Sequence, residues 1–286
     1  MRITNDQDLK LYNSYRVASR CRRAFFPETE EDFVTIYRDY SDRKKVILGG
    51  GFNVILSKPF YEEDFILLGP AFSKSNFIDE KIIEAEAGLD MKSLSELAQA
   101  NSLMGLEMFY DIPSSLGGAV VMNAGASGIE IKDVLVKVRY LDLEDLQIKE
   151  ILNAQIGFEY RNSFFQQNLD KIILKAWLHL KKGDPTQIQQ DMERIKESRW
   201  AKQPKDFPNA GSVFKRPKGY YVGTMIEELG LKGLSVGGAQ VSEKHAGFIV
   251  NKGNASGEDI LELISVIQEK VWENYQVKLE VEQRII

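Results

Sequence analysis

The chain has a single cysteine, Cys21, and only two histidines, His179 and His245. One thiol cannot close a disulfide within the chain, and two imidazoles without further thiols give no cluster for a structural zinc site. No metal is expected. No apolar run approaches the roughly 18 residues of a membrane span, and the opening "MRITNDQDLK" lacks the apolar core of a signal peptide. Both absences point to a cytoplasmic protein with no membrane insertion. Excess positive charge is missing too: the formal net charge is -5, which gives no general drive toward nucleic acid. An anionic ligand would have to meet local donors.

What is present is an ordinary globular composition, 286 residues with 43% hydrophobic and 28% charged, enough for two or three small domains with real cores. Changes of periodicity divide the chain into residues 1–70, 71–183 and 184–286, and the mixture of segregated strands and helices reads as α+β. In "TEEDFVTIYRDY" Thr29 can cap a helix, with Asp32 answering it and Phe33, Ile36, Tyr37 and Tyr40 on one face. A second helix is expected from Asp90 to Asn101. Asp184 before Pro185, and Ser256 before "GEDILELISVIQEKVWENY", mark two more helix starts. "GYYVGTMIEELGLKG" reads as a core helix through Met225, Ile226 and Leu229. Strands are expected at "KIIEAEAG", "VLVKVRYLDL" and "IILKAWLHL".

Two glycine-bearing stretches stand out. "VILGGGFNVIL" places three glycines between apolar runs, but a dinucleotide fingerprint would need glycine where Val54 stands and a helix next, and GxxxxGK[ST] is absent from the chain. A nest of bare amides for an anion and a tight hairpin with a bulge both remain open. "IPSSLGGAVVMNAGASG" is dominated by small residues, which would bury little area in a core and suit a backbone wrapped along a long polar ligand; a glycine-rich Ω-loop is the alternative. Together they suggest a dinucleotide pyrophosphate held by amides.

With "FEYRNSFF", "NAGSVFKRP", "GLKGLSVGGAQVSEKHAGFIVN" and "LEVEQRII" following in order, the chain resembles the UDP-N-acetylenolpyruvoylglucosamine reductase family over nearly its whole length. The resemblance implies an FAD-binding fold of the vanillyl-alcohol-oxidase type, in two α+β subdomains at 1–70 and 71–183, plus a C-terminal α+β substrate-binding domain at 184–286. It implies a flavoenzyme that uses NADPH to reduce the enolpyruvyl ether of its UDP-sugar substrate, giving UDP-N-acetylmuramate for peptidoglycan. Residues matching the FAD loops are Gly49, Gly50, Gly51, Phe52 and Asn53, then Ser115, Gly117, Gly118, Asn123, Gly125 and Ala126. Phe52 stands where members usually carry a serine. The catalytic positions correspond to Arg161, whose guanidinium can pair twice with a carboxylate, Ser212, a proton donor, and Glu282, which strand alternation would put on one face with Glu280 and Arg284. Tyr160, Lys215, Arg216 and His245 fall where the family meets substrate. A related FAD oxidoreductase with another substrate, and a non-catalytic UDP-sugar-binding paralogue, are the competing possibilities.

Overall fold

The computed structural model describes residues 1–286. They divide into two compact units: residues 1–4, 24–50 and 63–198 form the first, and residues 5–23, 51–62 and 199–286 the second. The division cuts across the three consecutive regions read from the sequence, because residues 5–23 and 51–62 pack with the C-terminal third of the chain. It falls within the strands Arg2–Asp8, Arg20–Phe26 and Phe60–Leu67. These, with Lys45–Leu48 beside the last, make a four-stranded sheet.

Seven α-helices occur in chain order: α1 (Glu30–Asp39), α2 (Met91–Ala100), α3 (Leu116–Val121), α4 (Phe164–Gln167), α5 (Pro185–Lys202), α6 (Val222–Glu228) and α7 (Gly257–Tyr275). The expected starts are made by the expected caps. Thr29 Oγ1 accepts from Asp32 N while the Asp32 carboxylate accepts from Thr29 N, and Ser256 and Asp259 do the same for α7. Asp90 Oδ1 accepts from Ser93 N, and Asp184 Oδ1 from Gln187 N. Each satisfies amides that the first helical turn leaves open.

The first unit is built on an antiparallel five-stranded sheet in the order Gln147–Leu152, Leu135–Asp142, Lys171–His179, Ile82–Glu86, Ser75–Phe77. α3 packs against the third and fourth of these strands, which corrects the reading of the small-residue stretch as a poor choice for core. Leu116, Gly117, Ala119 and Val120 are buried. Gly117 is small for a reason: a Cβ there would lie 2.9 Å from the Ala87 Cβ, so the missing methyl lets α3 reach the sheet backbone, where Gly117 N donates to Ala87 O at 2.9 Å.

"VILGGGFNVIL" does not form a hairpin either. Lys45–Leu48 runs parallel to Phe60–Leu67, whereas Val54–Ile55 pairs in parallel with Arg284–Ile285 at the end of the chain. In the second unit, α6 and α7 share a core with Tyr15, Val17, Ile55 and the three-stranded sheet Ser235–Val236, Ala239–Val241, Ile249–Asn251. Met225 and Ile226 of α6 are buried as expected.

The start of α7 rests on the backbone of residues 56 and 57, where a Cβ at Gly257 would overlap Leu56 O and lie 2.7 Å from Ser57 Cα. Gly257→Ala would gain at most about 1 kcal/mol of helix propensity. Overpacking against backbone, which cannot rotate aside, costs roughly 1–3 kcal/mol or more. The variant is expected to be the less stable protein in urea unfolding; equal or higher stability would show that α7 shifts without penalty.

Candidate functional site

In the first unit the two glycine-bearing segments meet. Gly49 follows its strand directly, and a Cβ there would overlap the Ser115 hydroxyl. Ser115 is buried and caps α3, its Oγ accepting from Gly118 N at 3.2 Å. The amides of Leu116 and Gly117 donate to Leu89 O and Ala87 O. Thus Gly117 and Gly118 have committed their N–H groups within the protein, and a Cβ at either would press on Ala87 or Ser115.

The next part of the segment carries Arg161. Asn123 takes a positive φ of 44°, is fully buried, and its Nδ2 donates to Glu130 Oε2 and Glu159 O, both at 2.9 Å. Two acceptors around one nitrogen fix the orientation of the amide. Its other end, Oδ1, is buried with no partner. Glu159 and Asn162 close a tight turn with Tyr160 and Arg161 at its tip. Arg161 adopts φ 55°, unusual for a residue other than glycine. Its guanidinium donates to Gly125 O at 2.9 Å and, at 3.4 Å, to Asn123 O, and lies 5.0 Å from the Tyr160 ring centroid. Gly125 pairs with Glu130 across the Ser127–Gly128 turn, and a Cβ on Gly125 would overlap Ile129 O. Ala126 faces Ile129 in the same ladder.

Gly51, Phe52 and Asn53 belong to the second unit. Gly51 has φ 67°, and a Cβ would overlap Tyr12 O, while its own carbonyl accepts from Ser14 N at 3.0 Å. This glycine is required by contact with the chain itself. Phe52 is exposed, and Asn53 Nδ2 donates to Glu282 O at 3.3 Å.

Ser212 and Glu282 lie on neighbouring segments of that unit. Phe214 bridges Val281, Glu282 N donates to Val213 O at 2.8 Å, and Lys215 N to Glu280 O at 2.9 Å. The uniform strand face expected for Glu280, Glu282 and Arg284 is interrupted by a bend at Gln283, because residues 284–286 pair with a different segment. Lys215 Nζ is ion-paired to Glu280 Oε1 at 2.6 Å. The Arg216 guanidinium stacks 3.9 Å from the Tyr221 ring centroid.

His245 is held locally. Nδ1 accepts from Gly247 N at 3.1 Å, and the ring meets Phe248 edge-on at 4.8 Å. An accepting Nδ1 requires the proton on Nε2. Burial, assisted by the charge of Lys232, pushes its pKa below the ordinary imidazole range.

Elsewhere, Asp142, Glu144 and Asp170 converge closely enough to suggest a cation. The cation is Lys171, whose Nζ reaches these carboxylates at 2.7, 3.2 and 2.6 Å.

Comparison with known proteins follows the same division of labour. Residues 22–150 match an FAD-binding domain model, and residues 203–286 match the C-terminal domain of UDP-N-acetylenolpyruvoylglucosamine reductase. A protein of that name from Caldanaerobacter subterraneus is 41% identical over 286 residues, covering 98% of this chain and 92% of the relative. Another, from Francisella tularensis, is 40% identical and covers 97% and 98%. The chain belongs to the UDP-N-acetylenolpyruvoylglucosamine reductase family. The crystal structure of the Thermus caldophilus enzyme superposes with a TM-score of 0.85 at 32% identity, over 100% of this chain and 99% of that one. The fold is therefore the family's α+β FAD-binding fold with a C-terminal substrate domain, and the protein is an FAD oxidoreductase. FAD is its cofactor. The residues present fit that group: the orphaned Asn123 Oδ1 is an acceptor of the kind a flavin N–H or ribityl hydroxyl can satisfy. No helix is long and apolar enough to cross a membrane.

Because neutral His245 is favoured by folding, the unfolded chain takes up its proton first as pH falls below about 6.5. Stability contributed by this residue is present above that value and is lost as pH drops toward the lowered native pKa. Urea midpoints between pH 7 and 5 should fall more steeply for the wild type than for His245→Gln. Parallel curves would remove His245 as the titrating group.

Proposed function

We propose that this protein reduces UDP-N-acetylenolpyruvoylglucosamine to UDP-N-acetylmuramate for peptidoglycan synthesis in the cytoplasm, with NADPH as reductant. The observation that supports this most directly is the pairing of the Ser212 and Glu282 segments through the 2.8 Å bond from Glu282 N to Val213 O, in a chain whose relatives carry that enzyme's name over their full length. When bound, FAD would supply the redox chemistry, a hydride relay between NADPH and the β-carbon of the enolpyruvyl group.

The rest belongs to side chains. Hydride addition to an α,β-unsaturated carboxylate builds charge on that carboxylate, and Arg161 is the group we assign to it, since a planar guanidinium meets both oxygens at once. Its bonds to the carbonyls of Gly125 and Asn123 help to orient the guanidinium. Ser212 delivers the proton to the α-carbon, and Glu282 is the acidic partner of that step. A hydroxyl is a weak acid, adequate only because the enediolate it protonates is strongly basic. Lys215 and Arg216 are assigned to the diphosphate, with Lys215 exchanging its ion pair with exposed Glu280 for phosphate. Such an exposed pair is worth little, so the exchange is inexpensive. Tyr160 and His245 line the substrate, and Gly49, Gly50, Phe52, Asn53, Ser115, Gly118, Asn123 and Ala126 the flavin.

Two variants separate these roles. Arg161→Lys keeps the charge but loses the paired geometry, and turnover should drop at least about tenfold, by analogy with the loss of one transition-state donor; near-normal turnover would reduce Arg161 to a structural residue. Ser212→Ala should be bleached by NADPH at the normal rate, since that half-reaction needs no proton at the substrate's α-carbon, while reoxidation by the enolpyruvyl UDP-sugar slows about 10²–10⁴-fold. Normal reoxidation in stopped flow would transfer the role to another group. Absence of any reoxidation in the wild type would overturn the substrate itself.

A further inference from the structure

Gln283 is 3% exposed and sits where the C-terminal segment changes its backbone partner. Before it, Lys215 N donates to Glu280 O and Glu282 N to Val213 O; after it, Arg284 N donates to Asn53 O and Ile286 N to Ile55 O. Regular pairing holds both flanks, but at the crossover the side chain takes over. Gln283 Oε1 accepts from Tyr15 Oη at 3.0 Å. Nε2 faces three consecutive carbonyls, Ala210 O at 3.0 Å, Gly211 O at 3.2 Å and Ser212 O at 3.4 Å. Two N–H bonds can serve the nearer two at once.

The orientation of this amide is set by the three carbonyls, which can only accept and so must face its nitrogen. The oxygen is left to accept from the buried, protonated phenol of Tyr15. The nitrogen then grips the turn in which Gly211, at φ 80°, redirects the chain into Ser212. Ser212 is itself exposed, so its place is set through the backbone. Val213 N donates to Gly247 O at 3.0 Å on the far side.

We propose that Gln283 is a positioning residue for the proton donor, clamping the 210–212 turn so that Ser212 is held in fixed relation to the Glu282 segment. The proposal rests on the assignment of Ser212 made above. Gln283 touches no reacting atom; it acts through the backbone on either side of the serine. A misplacement of about 1 Å in such a group can cost about 10²-fold in rate.

The test uses the full chain loaded with FAD, with Gln283→Leu, Gln283→Glu, Ser212→Ala and the double variant Gln283→Leu/Ser212→Ala. Reduction by NADPH should stay within about twofold of the wild type in Gln283→Leu, and reoxidation by UDP-N-acetylenolpyruvoylglucosamine should slow by about 10–100-fold. The double variant should be no slower than Ser212→Ala, since the two changes remove one function. In Gln283→Glu a protonated carboxyl can still donate to the turn and accept from Tyr15, so reoxidation should recover as pH is lowered, in contrast to Gln283→Leu. Hydrogen exchange at the 211–213 amides should quicken in Gln283→Leu, a readout independent of turnover. If that variant does not fold, Tyr15→Phe, which removes only the donor to Oε1, should show the same split between half-reactions at a few-fold size. Slow Ser212→Ala with fast Gln283→Leu, or losses that add in the double variant, would overturn the positioning role alone. Normal reoxidation in Ser212→Ala would overturn the serine assignment and this proposal together, whereas faster exchange at the 211–213 amides would still report the clamp.

Discussion

The second unit depends on backbone pairing by the last residues of the chain. Lys215 and Val213 are bonded to residues 280 and 282, Asn53 and Ile55 to residues 284 and 286, and Ser57 N returns to Ile286 O at 3.1 Å. Tyr61 Oη adds a bond to Ile286 O at 2.6 Å. The contacts of residues 53, 55, 57 and 61 join segments more than 200 positions apart, so each closes a long loop whose entropy must be met by the burial that accompanies it. That burial is the core of Tyr15, Ile55, Val213 and Phe214 with α6 and α7. The arrangement has a chemical consequence: two residues assigned to one proton transfer ride on segments fixed to each other by main-chain bonds, not on independent loops.

Much of this was legible locally. The capping boxes at Thr29 and Ser256, and Asp184 before Pro185, specify helix starts from four residues or fewer, and the structure uses those very oxygens. The α3 segment was not legible as core, because its small residues read as loop while its burial depends on Ala87, almost 30 positions earlier, being close enough to exclude a methyl. The hairpin alternative at the glycines failed for a related reason. Local sequence shows a strand, a turn and a strand, but parallel partners at Phe60–Leu67 and Arg284–Ile285 are set by the rest of the fold. Strand alternation around Glu282 was likewise read as continuous, and the change of partner at Gln283 ended it. Gln283 carries no motif, and only its burial beside Tyr15 and three carbonyls marks it.

Arg161, the residue we assign to the substrate carboxylate, is also bound into the local structure. A non-glycine residue at φ 55° carries a backbone cost of roughly 1–2 kcal/mol. The surroundings hold it there: Asn123 Nδ2 bonds Glu159 O, and the buried Ser163 Oγ donates to Val121 O at 2.7 Å on the other side of the turn. Bonds of about 1 kcal/mol each are sufficient to hold the strained turn, but they would not keep a long side chain in one rotamer without the carbonyls of Gly125 and Asn123. Backbone carbonyls thus share in positioning the guanidinium.

Asn123 and Gln283 make an instructive pair, since each is a buried amide that joins the backbone of one segment to a side chain of another within its own unit. A carboxamide offers two donors and an acceptor on one rigid plane, so an ionised acid or an apolar residue of equal size would leave carbonyls or a hydroxyl unpaired at about 1–3 kcal/mol each. The two differ in their completeness. Gln283 spends both ends on the protein, through Tyr15 and the 210–212 turn. Asn123 spends only its nitrogen, and the buried Oδ1 is left with a desolvation cost that the folded chain alone does not recover. A closed network fits a residue that shapes the site from within. A half-closed one leaves a residue with one acceptor still to be met.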